Sequence, residues 1–266
     1  MTQEYLFESL EDLVCKYAKA NHHYKVAVKP IVAFHPMVGR NYNHDLMVVG
    51  RAPNGWLDCE HEEACKGSDH AGGYTAKVLL ESSRAFEQFM TTIREDLEQR
   101  EDQLRWVVDE WNGDCYQTYR SAFWRTAKKM LRRLGLGDDD DESWSSQLAW
   151  TNLYKIAPMC SGNPTTTMCN VQQAGCEAML SAELKEFKPK RVLFMTGYKD
   201  WAKPFLDKLQ LQTRKSRGFE YVECSGQLPI TKTRFCQVVV VPHPQGKPES
   251  ELVEQAAKCF ESLGAA

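Results

Sequence analysis

No two cysteines of the chain stand at Cys-x-x-Cys spacing, although there are ten, at positions 15, 59, 65, 115, 160, 169, 176, 224, 236 and 259. Scattered in this way they match no standard zinc pattern, and they read as free thiols that fill space in a core kept in a reducing compartment. Cys59 and Cys65 flank a polar loop with His61, a weak hint of metal binding whose spacing is wrong for zinc, so neither metal nor cofactor is expected. Long apolar runs are missing as well: none reaches the length of a membrane span. The first twenty residues, MTQEYLFESLEDLVCKYAKA, carry acids where a secretory signal carries a basic end. They read as an amphipathic helix, and the expected location is cytoplasmic, with no membrane partner. Excess positive charge is also lacking, since 33 Lys and Arg stand against 36 Asp and Glu. That balance argues against extended, nonspecific nucleic-acid contacts and leaves room only for a local basic groove. Neither an internal repeat nor a low-complexity linker divides the sequence.

What is present is ordinary globular material. A chain of 266 residues, 42% hydrophobic and 26% charged, buries enough apolar surface to fold without disulfides. VAVKPIVAF (26–34) and DLMVVG (45–50) read as strands, the second apolar enough to be buried on both faces. Residues 57–118 read as a polar loop followed by a charged helical insertion. YRSAFWRTAKKMLRRLG (119–135) is helical, with Phe123, Ala127, Met130, Leu131 and Leu134 on one stripe and Gly135 and Gly137 as its stop. LAWTNLY (148–154), RVLFMTG (191–197), GFEYVEC (218–224) and RFCQVVVVP (234–242) read as further strands, with helices around 170–187 and 248–262. Apolar strands alternating with helices predict one α/β domain over 1–266, a mostly parallel central sheet covered by helices on both faces.

In such sheets ligands sit beyond the carboxyl ends of the strands. Three segments there offer chemistry. Gly50-Arg51-Ala52-Pro53-Asn54-Gly55-Trp56 follows the first apolar strand; Thr151-Asn152, Lys155 and Pro158 come at and after a middle one; His243-Pro244-Gln245-Gly246-Lys247 follows the last. Each presents a few polar groups on a rigid support, as a small planar ligand requires. Singly, each also has a plain reading: a turn at Pro53, a backbone cap at Asn152, a satisfied loop histidine at His243. Their conjunction at one sheet edge carries the functional reading.

That conjunction resembles the uracil-DNA glycosylase superfamily, in which a Gly-x-x-Pro loop follows the first core strand, an Asn follows a middle strand and His-Pro follows the last. The likeness is greatest to the iron–sulfur branch. Thr151-Asn152-Leu153-Tyr154-Lys155, Pro158, Gly162-Asn163-Pro164, Cys176 and Leu180 are similar to its segment around the base-reading Asn. Ser121-Ala122-Phe123-Trp124-Arg125-Thr126-Ala127, with Leu131 and Gly135-Leu136, is similar to its stacking-Phe helix, and Lys188-Pro189-Lys190-Arg191 with Val192–Gly197 to its next strand. The likeness covers roughly 45–56 and 119–260.

The resemblance implies a three-layer α/β/α sandwich and a DNA partner, single-stranded or with a flipped base. It implies hydrolysis of the bond between sugar and a uracil or other deaminated base. On it, His243 hydrogen-bonds a base oxygen as negative charge grows there. Asn152 reads the base edge, Phe123 stacks on the ring, and Gly50 and Ala52 line the pocket floor. Arg51 and Lys247 face phosphate. The sequence also departs from the pattern. Where the family places an acid or amide to position water stand Arg51 and Ala52, so Asn54 and Asp58 are the groups left for that task. Of the four cluster cysteines only Cys176 has a counterpart, and Ile156 occupies the place of another. No cluster is expected. Two other functions fit the same pocket: a non-catalytic module for nucleobases or single strands, and a hydrolase of a small nucleoside-like metabolite.

Overall fold

The structure is a computed structural model that describes residues 8–10, 12–14, 16–17, 31–53, 102–113, 117–137, 143–158, 162–214 and 218–264. Two compact units are present, one from Met1–His35, Ala52–Glu101 and Tyr154–Met179, the other from Pro36–Arg51, Asp102–Leu153 and Leu180–Ala266. The fold is α/β. Among the described residues no helix is long and apolar enough to cross a membrane.

The larger unit holds a seven-stranded mixed sheet. Its strands are β2 (Met37–Val38), β3 (Leu46–Gly50), β4 (Leu148–Asn152), β6 (Arg191–Met195), β7 (Gln212–Arg214), β8 (Cys224–Pro229) and β9 (Phe235–Val241). Their spatial order is β2-β4-β3-β6-β9-β8-β7. The four central strands β4, β3, β6 and β9 run parallel, whereas β2, β8 and β7 join antiparallel at the edges. Every residue of β3 and β4 is buried, which explains why both read as apolar runs without polar alternation.

The short strands β2 and β7 were not read from the sequence, and β8 is displaced from the segment read as a strand. Residues 218–223 are turn and coil, and β8 begins only at Cys224. CSGQLP looks like a loop because it holds Gly and Pro. It is a strand because β7 lies so near that a Cβ on Gly226 would stand 2.2 Å from the Gln212 carbonyl oxygen. Close backbone approach selects the glycine there.

The end of the segment read as a charged insertion is tied into this unit. Helix α1 (Arg105–Asp109) and its approach bury Leu104 and Val107 completely. Gln103 Oε1 accepts the Val38 amide of β2 at 2.9 Å. Ser145 Oγ donates to the Leu104 carbonyl at 2.7 Å.

Helix α2 (Ala122–Arg133) starts after a 3-10 turn at Thr118–Arg120. Its buried side is Trp124, Thr126, Ala127, Met130 and Leu131, with Phe123 at the margin. Trp124 is the hub of an aromatic cluster, with ring centroids 4.7 Å from Trp150, 5.1 Å from Phe123, 5.7 Å from Trp106 and 6.4 Å from Trp144. Most of these contacts are edge-on, the geometry favoured by ring quadrupoles. On its outer side α2 is fastened to α5 (Glu249–Gly264). Arg125 donates to Glu249 from Nε (2.9 Å) and Nη2 (2.5 Å), Lys129 from Nζ (2.8 Å), and Arg133 reaches Glu254 and Glu261. These pairs are partly solvated, so each contributes at most about 1 kcal/mol. On the opposite side the tryptophan cluster joins α2 to β4 through Trp150 and to α1 through Trp106. Trp124→Ala, which empties the hub, is expected to cost about 3–5 kcal/mol, read as a lowered denaturant midpoint, while Lys129→Ala stays within about 1 kcal/mol.

The smaller unit pairs β1 (Ile31–Ala33) with β5 (Ile156–Pro158), antiparallel. Gln172, on the first half of α3 (Thr166–Phe187), completes it. Its Oε1 accepts the amides of Lys155 (3.1 Å) and Ile156 (2.9 Å), and its Nε2 donates to the Ile156 carbonyl at 2.8 Å. Cys176 is buried and lies one turn along, its Sγ 3.4 Å from the same Oε1.

Candidate functional site

The site starts from a missing side chain. Gly50 and Asn152 are register partners at the last positions of β3 and β4, and the Gly50 carbonyl accepts the Leu153 amide at 2.9 Å. Parallel neighbours this close normally hold their Cβ atoms side by side. With none at position 50, the Asn152 amide leans across, and its Oδ1 comes 2.2 Å from where a Cβ would stand. Phe123 Cε2 reaches within 3.4 Å of the same point. The sheet edge thus gathers an amide and an aromatic edge over one glycine. Asn152 is buried and Phe123 half-buried, which is the arrangement a planar ligand meets as an amide wall beside an aromatic one.

The next residue turns the other way. Arg51 Nε donates to the Thr196 carbonyl at 2.7 Å, beyond the end of β6, and the guanidinium carbon sits 4.9 Å from the centre of the Trp201 ring. Burial lowers its pKa from the usual arginine value, opposed by the charges of Glu223 and Asp200. Gly197 makes room for this. It has φ of 83°, open to glycine at little cost. It leads into a π-helical turn, Tyr198–Ala202, in which the Ala202 amide reaches back to the Gly197 carbonyl at 3.1 Å. Such turns concentrate at functional sites. Arg51, Tyr198, Trp201, Glu223 and Pro242 are among the residues that line a cavity of about 460 Å³ here.

His243 follows β9 and belongs to the same electrostatic neighbourhood. Burial first, and the charge of Arg51 second, pull its pKa down to about 4. It is therefore neutral at pH 7. Its Nδ1 lies 3.3 Å from the Gln245 amide. A backbone N–H only donates, so Nδ1 is the bare nitrogen and the proton sits on Nε2. A neutral imidazole with Nε2–H outward suits a hydrogen bond to an oxygen that gains negative charge.

Gly50, Asn152 and Phe123, three of the residues read from sequence, meet at one point, and Arg51, the residue after Gly50, is close enough to His243 to lower its pKa. Lys247 is exposed, its amide donating to the Pro244 carbonyl at 3.0 Å. Ala52 is buried. Asn54 and Asp58 lie outside the described residues, as do Cys59, His61 and Cys65. Among the described residues no three His, Cys, Asp or Glu side chains gather as metal ligands do. Sequence reasoning missed Gly197, Trp201 and Glu223. The one available signal was Gly197 directly after an apolar strand. No family model matches the chain, and no curated protein does.

The histidine gives a direct check. By NMR, the His243 imidazole is expected to stay in its Nε2–H form from pH 8 to pH 5 and to titrate near 4. Arg51→Ala should raise that value partway, because burial remains. The sign for stability follows: the unfolded histidine takes up its proton near 6.5, so stability is full above that and falls as pH drops toward 4.

Proposed function

We propose that the chain is a uracil-DNA-glycosylase-like protein that holds a flipped nucleobase between Asn152 and Phe123 and cleaves its bond to the sugar. The observation that carries this reading is the meeting of Asn152 and Phe123 over Gly50 at the carboxyl edge of a four-stranded parallel core. Support comes from His243, held neutral with its proton on Nε2. In the proposed reaction the bond between C1′ and the base nitrogen breaks with its electron pair going to the base. Negative charge spreads to the base oxygen, where His243 Nε2–H donates. The Asn152 amide, with its donor and acceptor side by side, pairs with the base edge and sets the choice of base. Water then adds its oxygen to C1′, and the proton it loses neutralises the departed base. A three-layer α/β/α sandwich, the architecture that superfamily implies, is part of the proposal, and the four parallel central strands support it. A cytoplasmic protein acting on single-stranded DNA fits the near-neutral charge, since few phosphate contacts are available to offset unstacking a duplex.

One observation favours a second reading, a non-catalytic module that binds nucleobases or single strands. At the place of the family's water-positioning group stands Arg51, turned toward Thr196 and Trp201, and an arginine is no general base.

Alkaline scission of labelled oligonucleotides carrying uracil, hypoxanthine or xanthine separates the two. Cleavage is expected on single strands at least as fast as on duplex. His243→Ala should lower the rate by about a hundredfold or more, and Asn152→Ala should relax or abolish base choice. Binding of uracil bases or single strands that His243→Ala weakens, without any cleavage, selects the module instead.

A further inference from the structure

The cavity beyond β6 is not used by the proposed excision, and its chemistry is unusually specific. At about 460 Å³, it falls in the range of small-molecule pockets, roughly 300–1,000 Å³. Arg51 makes no ion pair among the described residues, although the charges of Glu223 and Asp200 reach it. Arg51 spends Nε on the Thr196 carbonyl, and among the described residues this is its one hydrogen bond. Of a guanidinium's five N–H donors, the four on Nη1 and Nη2 are open. Across Gly197 stands a carboxylate. A Cβ on Gly197 would be 3.7 Å from Arg51 Nη2 and 3.8 Å from Glu223 Oε2. Glu223 Oε2 takes the Tyr198 amide at 2.5 Å, which fixes the carboxylate and leaves Oε1 as acceptor. The walls are Trp201 and Tyr198.

A phosphate is the obvious partner for an open arginine, but the charge count is against it. Arg51 and Lys199 are matched in this pocket by Asp200 and Glu223. The two carboxylates repel an anion as the two cations draw it. A neutral planar ligand with two acceptors on one edge and donors on another satisfies both ends. Among nucleobases, guanine has that pattern. Its O6 and N7 accept a bidentate arginine fork, here the Nη1/Nη2 end left open by Thr196. Its N1–H and N2–H₂ donate to a carboxylate. Adenine presents a donor, N6–H₂, where the fork needs an acceptor.

We infer that this pocket, separate from the Asn152–Phe123 site, binds a guanine base between Arg51 and Glu223 against the Trp201 wall. The ligand is either a free guanine nucleotide or a guanine in a single strand. The inference holds whether or not the chain excises bases.

Calorimetric titration of the full chain tests it, with guanosine, guanosine 5′-monophosphate, adenosine 5′-monophosphate and inorganic phosphate as probes. Guanosine and its monophosphate should bind alike and the adenosine nucleotide about tenfold or more weaker, while inorganic phosphate should not compete. Arg51→Lys keeps the charge and loses the fork, and Glu223→Gln keeps the shape and loses the carboxylate; each should weaken guanosine by about tenfold or more. An oligothymidine carrying one guanine gives the source. Binding much tighter than the free nucleotide points to a strand, equal binding to the nucleotide, and both uphold the site. Competition by inorganic phosphate, equal affinity for adenosine and guanosine nucleotides, unchanged binding by Arg51→Lys, or no binding of guanosine at millimolar concentration overturns it. Failed excision alongside intact guanosine binding removes only the glycosylase reading.

Discussion

The close approach of Asn152 to Gly50 governs the geometry of the sheet edge. Two parallel strands end at the same register, and only one of the two end residues has a side chain. The amide therefore occupies the space over its partner rather than standing beside it. A Cβ at position 50 would displace the Asn152 Oδ1 and come to 3.4 Å from the aromatic edge of Phe123. Phe123 in turn is placed by the tryptophans beneath it, since Trp124 and Trp150 both pack on its ring at 5.1 and 6.2 Å. Trp150 is two residues before Asn152 on β4, so the strand that supplies the amide also supplies one of the rings packed against Phe123.

Around that edge, charge is arranged by Arg51. It is the residue after Gly50, and its guanidinium sits within a partly buried setting that lowers its pKa and helps keep His243 neutral. One side chain thus tunes His243 and lines a second cavity, in which its Nη1 and Nη2 make no hydrogen bond among the described residues. An acid in its place would favour the charged form of His243 instead.

The four parallel strands were legible because burial of most of their residues leaves an apolar run, complete in LMVVG and confined to the VVVV end of FCQVVVV. Gly50, Phe123 and Asn152 were legible as candidates because strand ends and one helix start place them, and local pattern marks such ends. β8 was not, because its glycine answers to a neighbouring carbonyl far away in sequence. Nor was the hub role of Trp124, which the stripe of Phe123, Ala127, Met130, Leu131 and Leu134 leaves out though it is only 2% exposed. Its neighbours Trp106, Trp144 and Trp150 come from three separate segments. The Arg51–Trp201–Glu223 cavity was invisible for the same reason: its members are brought together by sheet order, which no local pattern encodes.

The central claim, that Asn152, Gly50, Phe123 and His243 belong to one nucleobase pocket, is tested most directly by following the Asn152 side-chain amide in NMR while free uracil is added. The account predicts that the two Asn152 amide protons and the Gly50 backbone amide shift together and saturate, with the His243 Nε2–H signal moving at the same uracil concentration. Asn152 signals that stay still with uracil, and with hypoxanthine and xanthine in its place, would contradict it.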